Sequence, residues 1–183
     1  MRKTVISTAA LSTAALVLGI VGPANAELYG VDDPQDTFHG SDLRAVQIRN
    51  GEHRLVVTTH HDNLVRAPKS GSSGAVYIDT DGSNKGPEFV FLGGYFEGTD
   101  YQLLHTKGFG PKKWGKPVDG AYSMRVDYAK DTVRMKMSRK AIGDAGKVRI
   151  AIRVSGTRTD GTSHGLIDWL GKPRSFTPWI AKG

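Results

Sequence analysis

Cysteine is absent from this chain of 183 residues, which excludes disulfide bonds, thiolate zinc sites, cysteine nucleophiles and cysteine-linked lipid anchors. Glutamate is scarce: only Glu27, Glu52, Glu88 and Glu97 occur, in unrelated settings. A carboxylate pair of the glycosidase kind is therefore not evident. The His-Glu-x-x-His motif of zinc proteases is also missing. We predict a protein without catalytic activity, and a small hydrolase that uses Asp or His groups is the enzymatic alternative.

The composition is that of one basic globular domain. Lys and Arg number 25 against 18 Asp and Glu, which gives a formal net charge of +7, and hydrophobic residues make up 38% of the chain. These values exclude a disordered chain and a multi-pass membrane protein. The excess of positive charge suits an anionic partner.

The N-terminus has the three parts of a secretory signal peptide, which we predict over residues 1–26. Arg2 and Lys3 supply positive charge, residues 5–21 are uncharged and mostly apolar, and Ala24-Asn25-Ala26 provides the small residues of a cleavage site. A single transmembrane anchor is the alternative, because the apolar stretch is long enough to span a bilayer. We therefore expect a secreted, extracellular monomer with no membrane association after cleavage, and export argues against a nucleic-acid partner.

Two regions follow the predicted signal peptide. Residues 27–40 are polar and contain Asp32, Asp33 and Asp36, so we interpret them as an N-terminal leader. Residues 41–183 are predicted to form a single β-domain, because short runs of alternating apolar and polar residues are separated there by Gly, Asn or Asp.

The alternation with a period of two predicts eight strands, each with one apolar face. Asn50-Gly51 between the first two is typical of a hairpin with a type I′ turn, whose central residues adopt positive φ. No helical periodicity extends over 12 residues, and Ser138–Gly143 is expected to form only one helical turn. The predicted strands are Leu43–Arg49, Arg54–His60, Ala75–Asp79, Glu88–Leu92, Tyr101–His105, Tyr122–Tyr128, Val133–Met137 and Lys147–Ser155.

The apolar faces of these strands must be buried against one another. Two stacked sheets achieve this with few strands, and a closed barrel is the alternative. We predict an all-β fold, an antiparallel β-sandwich of the jelly-roll kind.

An Asp-rich loop follows the strand Ala75–Asp79 and reads Asp-Thr-Asp-Gly-Ser-Asn. Calcium takes six to eight oxygen ligands, and closely spaced Asp and Asn on a glycine-bent loop supply several. We predict a structural Ca²⁺ site with Asp79, Asp81 and Asn84 as ligands, which acids of the leader would complete. A plain turn is the alternative, because these residue types are common in turns and the spacing differs from that of an EF-hand.

The segment His60-His61-Asp62 ends the second predicted strand. In an extended chain His60 and Asp62 point to one side and His61 to the other. An exposed strand end is the favoured interpretation, and a catalytic or metal-binding His–carboxylate pair is the alternative.

Several aromatic residues fall in predicted loops or near the C-terminus. Trp114 lies in the basic segment Lys112-Lys113-Trp114-Gly115-Lys116, so we predict an exposed ring that contacts a ligand, and Tyr95 is a second candidate. Flat rings at the rim of a sandwich suit stacking against sugars. Trp169 and Trp179 are predicted to cover the core, because aromatic rings near a terminus bury a large area.

The polar sides of the late strands are basic, with Arg125, Arg134, Lys136, Arg149 and Arg153. If these strands are neighbours, one sheet presents a positive stripe to an anionic polymer. We predict Arg125, Arg149 and Arg153 as ligand-binding residues, and a solvated face without a partner is the alternative.

Six segments carry a resemblance to known proteins: 41–43, 76–81, 86–89, 98–101, 168–170 and 176–180. In these segments the chain resembles a group of small exported proteins of actinomycete bacteria and, more distantly, DOMON-like sandwiches and family 9 carbohydrate-binding modules. The resemblance implies a non-catalytic sandwich that binds a glycan or another ligand, and some of these relatives hold structural calcium. The paired rim tryptophans of the carbohydrate-binding modules have no residue-by-residue match here.

The sequence therefore predicts a secreted binding module that recognises a polysaccharide or an anionic cell-wall polymer. A structural domain that binds or inhibits a partner protein is the alternative.

Overall fold

A computed structural model of the protein describes residues 27–35, 41–157 and 166–183, so the predicted signal peptide lies outside the described residues. These residues form twelve β-strands and no α-helix. The strands are β1 Glu27–Asp32, β2 Leu43–Asn50, β3 Arg54–His61, β4 Ser73–Asp79, β5 Phe89–Gly94, β6 Tyr101–Thr106, β7 Trp114–Pro117, β8 Tyr122–Asp127, β9 Thr132–Ser138, β10 Lys147–Gly156, β11 Leu166–Trp169 and β12 Ile180–Ala181.

The strands form two antiparallel sheets, which confirms the predicted β-sandwich. The five-stranded sheet has the order β1-β2-β3-β9-β8, and the seven-stranded sheet has the order β11-β10-β4-β5-β6-β7 with β12 paired to β10. The chain passes between the sheets three times, from β3 to β4, from β7 to β8 and from β9 to β10. Because β3 lies beside β9 and β4 beside β10, these crossings interlock the sheets in the Greek-key manner that jelly rolls also use.

The alternating sequence pattern explains which side of each strand is buried. In β9, Val133, Met135 and Met137 are fully buried between the sheets, while Arg134 and Lys136 point outward. The even-numbered residues of β10 from Val148 to Val154 are likewise buried in the core. Each Å² of apolar surface that is buried contributes about 25 cal/mol to the free energy of folding. This core is therefore the main source of stability in a domain without disulfides.

The outer side of the seven-stranded sheet is partly covered as well. Tyr77 of β4 faces outward yet is buried, because the ring of Trp169 stacks on it with centroids 6.1 Å apart and the Phe109 ring meets it edge-on at 4.7 Å. The Tyr77 hydroxyl also accepts a hydrogen bond from Gly110 N at 3.2 Å. These aromatic side chains on the outer side of the sheet hold the loop before β7 against it.

Four strands were not predicted. Residues 27–32, assigned above to a polar leader, form β1, the edge strand that pairs with β2, and Tyr29 and Val31 turn inward to the core. β7, β11 and β12 have only four, four and two residues. The expected helical turn is present as a 3₁₀ turn over Lys140–Ile142.

The hairpin between β2 and β3 is present, but its predicted type I′ turn is wrong. Neither Asn50 nor Gly51 adopts positive φ. Asn50 instead ends β2 as a fully buried residue, its Nδ2 donating to Ile180 O at 2.8 Å and its Oδ1 accepting from Arg139 Nη1 at 2.5 Å. A buried amide must satisfy its polar atoms, and this requirement overrides the local turn preference.

The described part of the chain contains no helix that could cross a membrane.

Candidate ligand-binding site

The predicted positive stripe is divided between the two outer surfaces of the sandwich. β8 and β9 belong to the five-stranded sheet, whereas β10 belongs to the seven-stranded sheet. Arg125, Arg134 and Lys136 therefore face away from Arg149 and Arg153. The expectation of one continuous stripe is wrong, because the chain changes sheets between β9 and β10.

A shallow groove of about 540 Å³ lies on the outer side of the seven-stranded sheet. We call it the sheet groove. Its floor is a row of residues in direct register across four strands, Arg153, Ala75, Leu92 and Gln102, followed from β10 to β6. Neighbouring strands are about 4.8 Å apart, so Arg153 and Gln102 are separated by about 14 Å. Ala75 and Leu92 at the centre of the row give the groove an apolar floor, with the polar groups of Arg153 and Gln102 at its two ends.

Trp114 forms one wall of the sheet groove. It begins β7, pairs with Thr106 of β6, and its half-buried ring packs on the outer apolar cluster. The preceding loop is fixed by local hydrogen bonds: Lys113 N donates to Gly110 O at 3.0 Å, and the Thr106 hydroxyl donates to Gly108 O at 2.7 Å. The ring is therefore held in place before any ligand arrives, which reduces the entropy lost on binding.

Arg153 is the cation of the sheet groove. It is half-buried and forms no ion pair within the described residues. Asp100 stands at the opposite rim, beyond β5. A guanidinium without a carboxylate partner beside an apolar floor suits a ring-shaped ligand that carries an acidic substituent.

Arg149, four residues earlier on β10, has a different environment. Its Nη2 lies 2.6 Å from Asp79 Oδ2, and its Nε donates to the same oxygen at 2.8 Å. The guanidinium also lies over the rings of Phe176 and Trp179, 4.8 Å from each centroid. These contacts hold the guanidinium of Arg149 in place, and Arg149 does not line the sheet groove. The structure does not bring Arg149 together with Trp114 and Arg153, and its role in ligand binding stays a prediction.

The prediction that Tyr95 binds ligand is wrong. Its side chain is fully buried between the sheets, and the His61 ring meets it edge-on with centroids 5.2 Å apart. Burial raises the pKa of the Tyr95 hydroxyl well above its ordinary value, so the group stays neutral. A side chain at 0% exposure cannot touch a ligand.

The structure also answers the question left open for His60-His61-Asp62. His61 is buried, with Nε2 2.7 Å from the Thr59 hydroxyl and Nδ1 2.8 Å from Ser41 O, so both ring nitrogens have protein partners. His60 points the other way, onto the outer side of the five-stranded sheet. The segment anchors the end of β3, and His61 is part of the core.

The loop predicted to bind calcium forms a turn held by its own side chains. Asp81 Oδ1 accepts from the amide and hydroxyl of Ser83 at 2.9 and 2.7 Å, and Asn84 Nδ2 donates to Asp81 Oδ2 at 2.9 Å. The hydrogen bonds from Ser83 lower the pKa of Asp81, so this carboxylate is charged at neutral pH. Asp79 is fully buried and faces Arg149. The described residues include no cluster of three or more His, Asp or Glu that could hold a metal ion.

The Ca²⁺ prediction remains a prediction, and the thermal midpoint tests it. An ion that binds only the folded state raises the midpoint with concentration, by about 2.7 kcal/mol of stability at one hundred times Kd. A midpoint that rises with millimolar Ca²⁺ and falls again with chelator is the expected result, and Asp81→Asn is expected to abolish the rise. A midpoint that is identical in calcium and chelator would leave the loop as a plain turn.

Residues 161–165 read Gly-Thr-Ser-His-Gly, which has the spacing of a hydrolase nucleophile elbow. The segment lies outside the described residues. A nucleophile elbow requires a helix directly after its serine, whereas strand β11 begins at Leu166, three residues after Ser163. The spacing alone therefore does not support a serine hydrolase.

Comparison of the chain with protein-family models gives no match, and comparison with curated proteins gives none either.

Proposed function

We propose that the protein is an exported, non-catalytic binding module, and that the sheet groove holds a sugar unit of an extracellular polysaccharide. One observation carries the proposal. Trp114 and Arg153, which were predicted separately as ligand residues, line the same groove. An aromatic wall, an apolar floor and polar end groups are what a pyranose ring needs, because its faces are apolar and its edges polar.

The position of Arg153, about 14 Å across the groove from the strand that follows Asp100, favours a polysaccharide with acidic sugars. Arg153 has no carboxylate partner within the described residues, so a uronic acid carboxylate would supply the missing one. The signal peptide predicted over residues 1–26 would bring the module to such polymers outside the cell. The resemblance to family 9 carbohydrate-binding modules agrees with this function, although it gives no matching ligand residues.

Retention on insoluble polysaccharide tests the proposal. We expect the protein to co-sediment with polygalacturonate coupled covalently to beads and with isolated bacterial cell walls, and less with uncharged chitin. Trp114→Ala should weaken retention about tenfold, because losing about 60 Å² of apolar contact at 25 cal/mol per Å² costs about 1.5 kcal/mol. Arg153→Gln should reduce the preference for polygalacturonate over chitin.

Trp179→Ala is the matched control. Trp179 is also half-buried, but it packs over Arg149 and Lys147, away from the sheet groove. Retention should be unchanged in this variant, once melting curves confirm that both tryptophan variants are folded. Equal losses in the two variants, or no retention of the native protein on any of the three polymers, would contradict a sugar site in the groove.

A further inference from the structure

The outer side of the five-stranded sheet carries a cluster of cations, which we call the basic face. Arg49 comes from β2, Arg54 from β3, Arg125 from β8, and Arg134 and Lys136 from β9. The three arginines Arg49, Arg125 and Arg134 are exposed around one shallow cleft of about 550 Å³. This surface lies on the opposite side of the sandwich from the sheet groove.

Few acids lie on this side of the sandwich. Asp127 is the acid that lines the cleft, and its Oδ1 accepts from Ala129 N and Lys130 N at 3.1 and 3.3 Å, so it holds the β8–β9 turn. Asp32 lies on the edge strand, and Glu52 lies in the β2–β3 turn. The net charge of the face is strongly positive.

Two of these cations lie directly opposite each other on neighbouring strands. Arg125 and Arg134 are direct partners in the register of β8 and β9, so their Cβ atoms lie about 5 Å apart. Like charges in this position destabilise a sheet unless an anion lies between them. No ion pair among the described residues involves any of the five cations. By contrast, Arg44, Arg66, Arg139 and Arg149 each pair with a carboxylate.

The shape of the face restricts what it can recognise. The cleft between the cations is lined by Leu28, Gln47, Val56, Thr58 and Thr132, with His60 at one end, and no Trp, Tyr or Phe lines it. A surface without such aromatic rings offers no stacking platform for nucleotide bases or sugar rings. The partner is therefore recognised by charges that lie in its backbone.

We propose that the basic face binds an extended, flexible polymer with phosphate groups in its main chain. Such a chain presents its charges directly to the arginines, whose planar guanidinium groups match phosphate oxygens in pairs. A phosphate between Arg125 and Arg134 relieves their repulsion. Lys136 and Arg49, each next to Val56 in one cross-strand row, hold further phosphates about 10 Å apart along the face. This second site is independent of the sugar site proposed for the sheet groove.

The test uses long-chain inorganic polyphosphate as the probe, with poly-L-glutamate and single-stranded DNA as competitors. We expect polyphosphate to bind with an affinity that falls linearly in log–log form with salt concentration. Arg125→Gln/Arg134→Gln should weaken binding at least tenfold and reduce the magnitude of the salt slope by between about 1 and 2. Lys85→Gln/Lys172→Gln removes the same charge from exposed positions elsewhere and should change Kd less than about twofold.

Each alternative result overturns the proposal in a different way. If both double variants lost polyphosphate affinity equally, the net charge of the protein alone would explain the binding. Equal affinity for poly-L-glutamate would remove the preference for phosphate, and tighter binding of DNA would assign the face to nucleic acid. Undiminished binding in Arg125→Gln/Arg134→Gln would place the site elsewhere. Arg153→Gln separates this site from the groove, because it should leave polyphosphate binding intact while it impairs polygalacturonate retention.

Discussion

Replacing Gly74 by alanine is expected to destabilise the protein by at least about 3 kcal/mol. Gly74 lies in β4, and a Cβ atom there would coincide with the hydroxyl end of Tyr95. The Tyr95 side chain cannot retreat, because it is fully buried and its own amide donates to Ser72 O at 2.7 Å. The alanine must therefore force apart the packing between the sheets, which a urea denaturation curve measures.

Gly146→Ala is the control for this substitution. No atom lies within 4 Å of the Cβ position at Gly146, and its φ is not positive, so the change should stay within about 0.5 kcal/mol. A double-mutant cycle identifies the cause. In a Tyr95→Ala background the Gly74→Ala substitution should cost less than about 1 kcal/mol, because the obstructing ring is gone. An unchanged cost in that background would show that Tyr95 is not the obstacle.

Replacing Arg149 by glutamine is expected to cost about 2–3 kcal/mol, since it leaves the buried Asp79 carboxylate without its charged partner. The full cost of a broken buried pair is reduced because the Arg149 side chain is 29% exposed. The urea midpoint of the variant should fall accordingly. Asp79→Asn together with Arg149→Met should cost less than the sum of the two single changes, because no unpaired charge remains.

Arg153→Gln is a matched control on the same face of the same strand. Arg153 has no ion pair among the described residues, so its replacement should change stability by no more than about 0.5 kcal/mol. Equal losses in Arg149→Gln and Arg153→Gln would contradict the distinction between a structural and a ligand-binding arginine. The same pair bears on the Ca²⁺ prediction, because calcium at Asp79 would have to compete with a guanidinium 2.6 Å away.

The strands that the sequence predicted are those whose apolar face lies at the centre of the sandwich. β9 and β10 alternate cleanly because each inward residue is completely buried. β1 was missed because only Tyr29 and Val31 of this edge strand turn toward the core. β7 was missed because its four residues include Gly115 and Pro117, which are tolerated in a short edge strand but resemble a loop in sequence.

The candidate site was only partly predictable, because periodicity reveals the face of a strand but not the sheet to which the strand belongs. Arg125 and Arg153 are both outward, as the alternation indicated, yet they lie on opposite sides of the molecule. Arg49 also belongs to the basic face, and its outward position follows from its alternation with Val46 and Ile48 in the sequence. Gln102 joins the sheet groove only through the register of β5 and β6, which no local pattern reveals.

The central claim, a sugar site in the sheet groove, is tested most directly by amide and indole chemical shifts of the ¹⁵N-labelled protein during titration with trigalacturonate. The account predicts that the largest changes occur at the Trp114 indole and at the amides of Leu92, Gln102 and Arg153, with few changes on the five-stranded sheet. Shift changes concentrated around Arg125 and Arg134, or no saturable change at all, would contradict it.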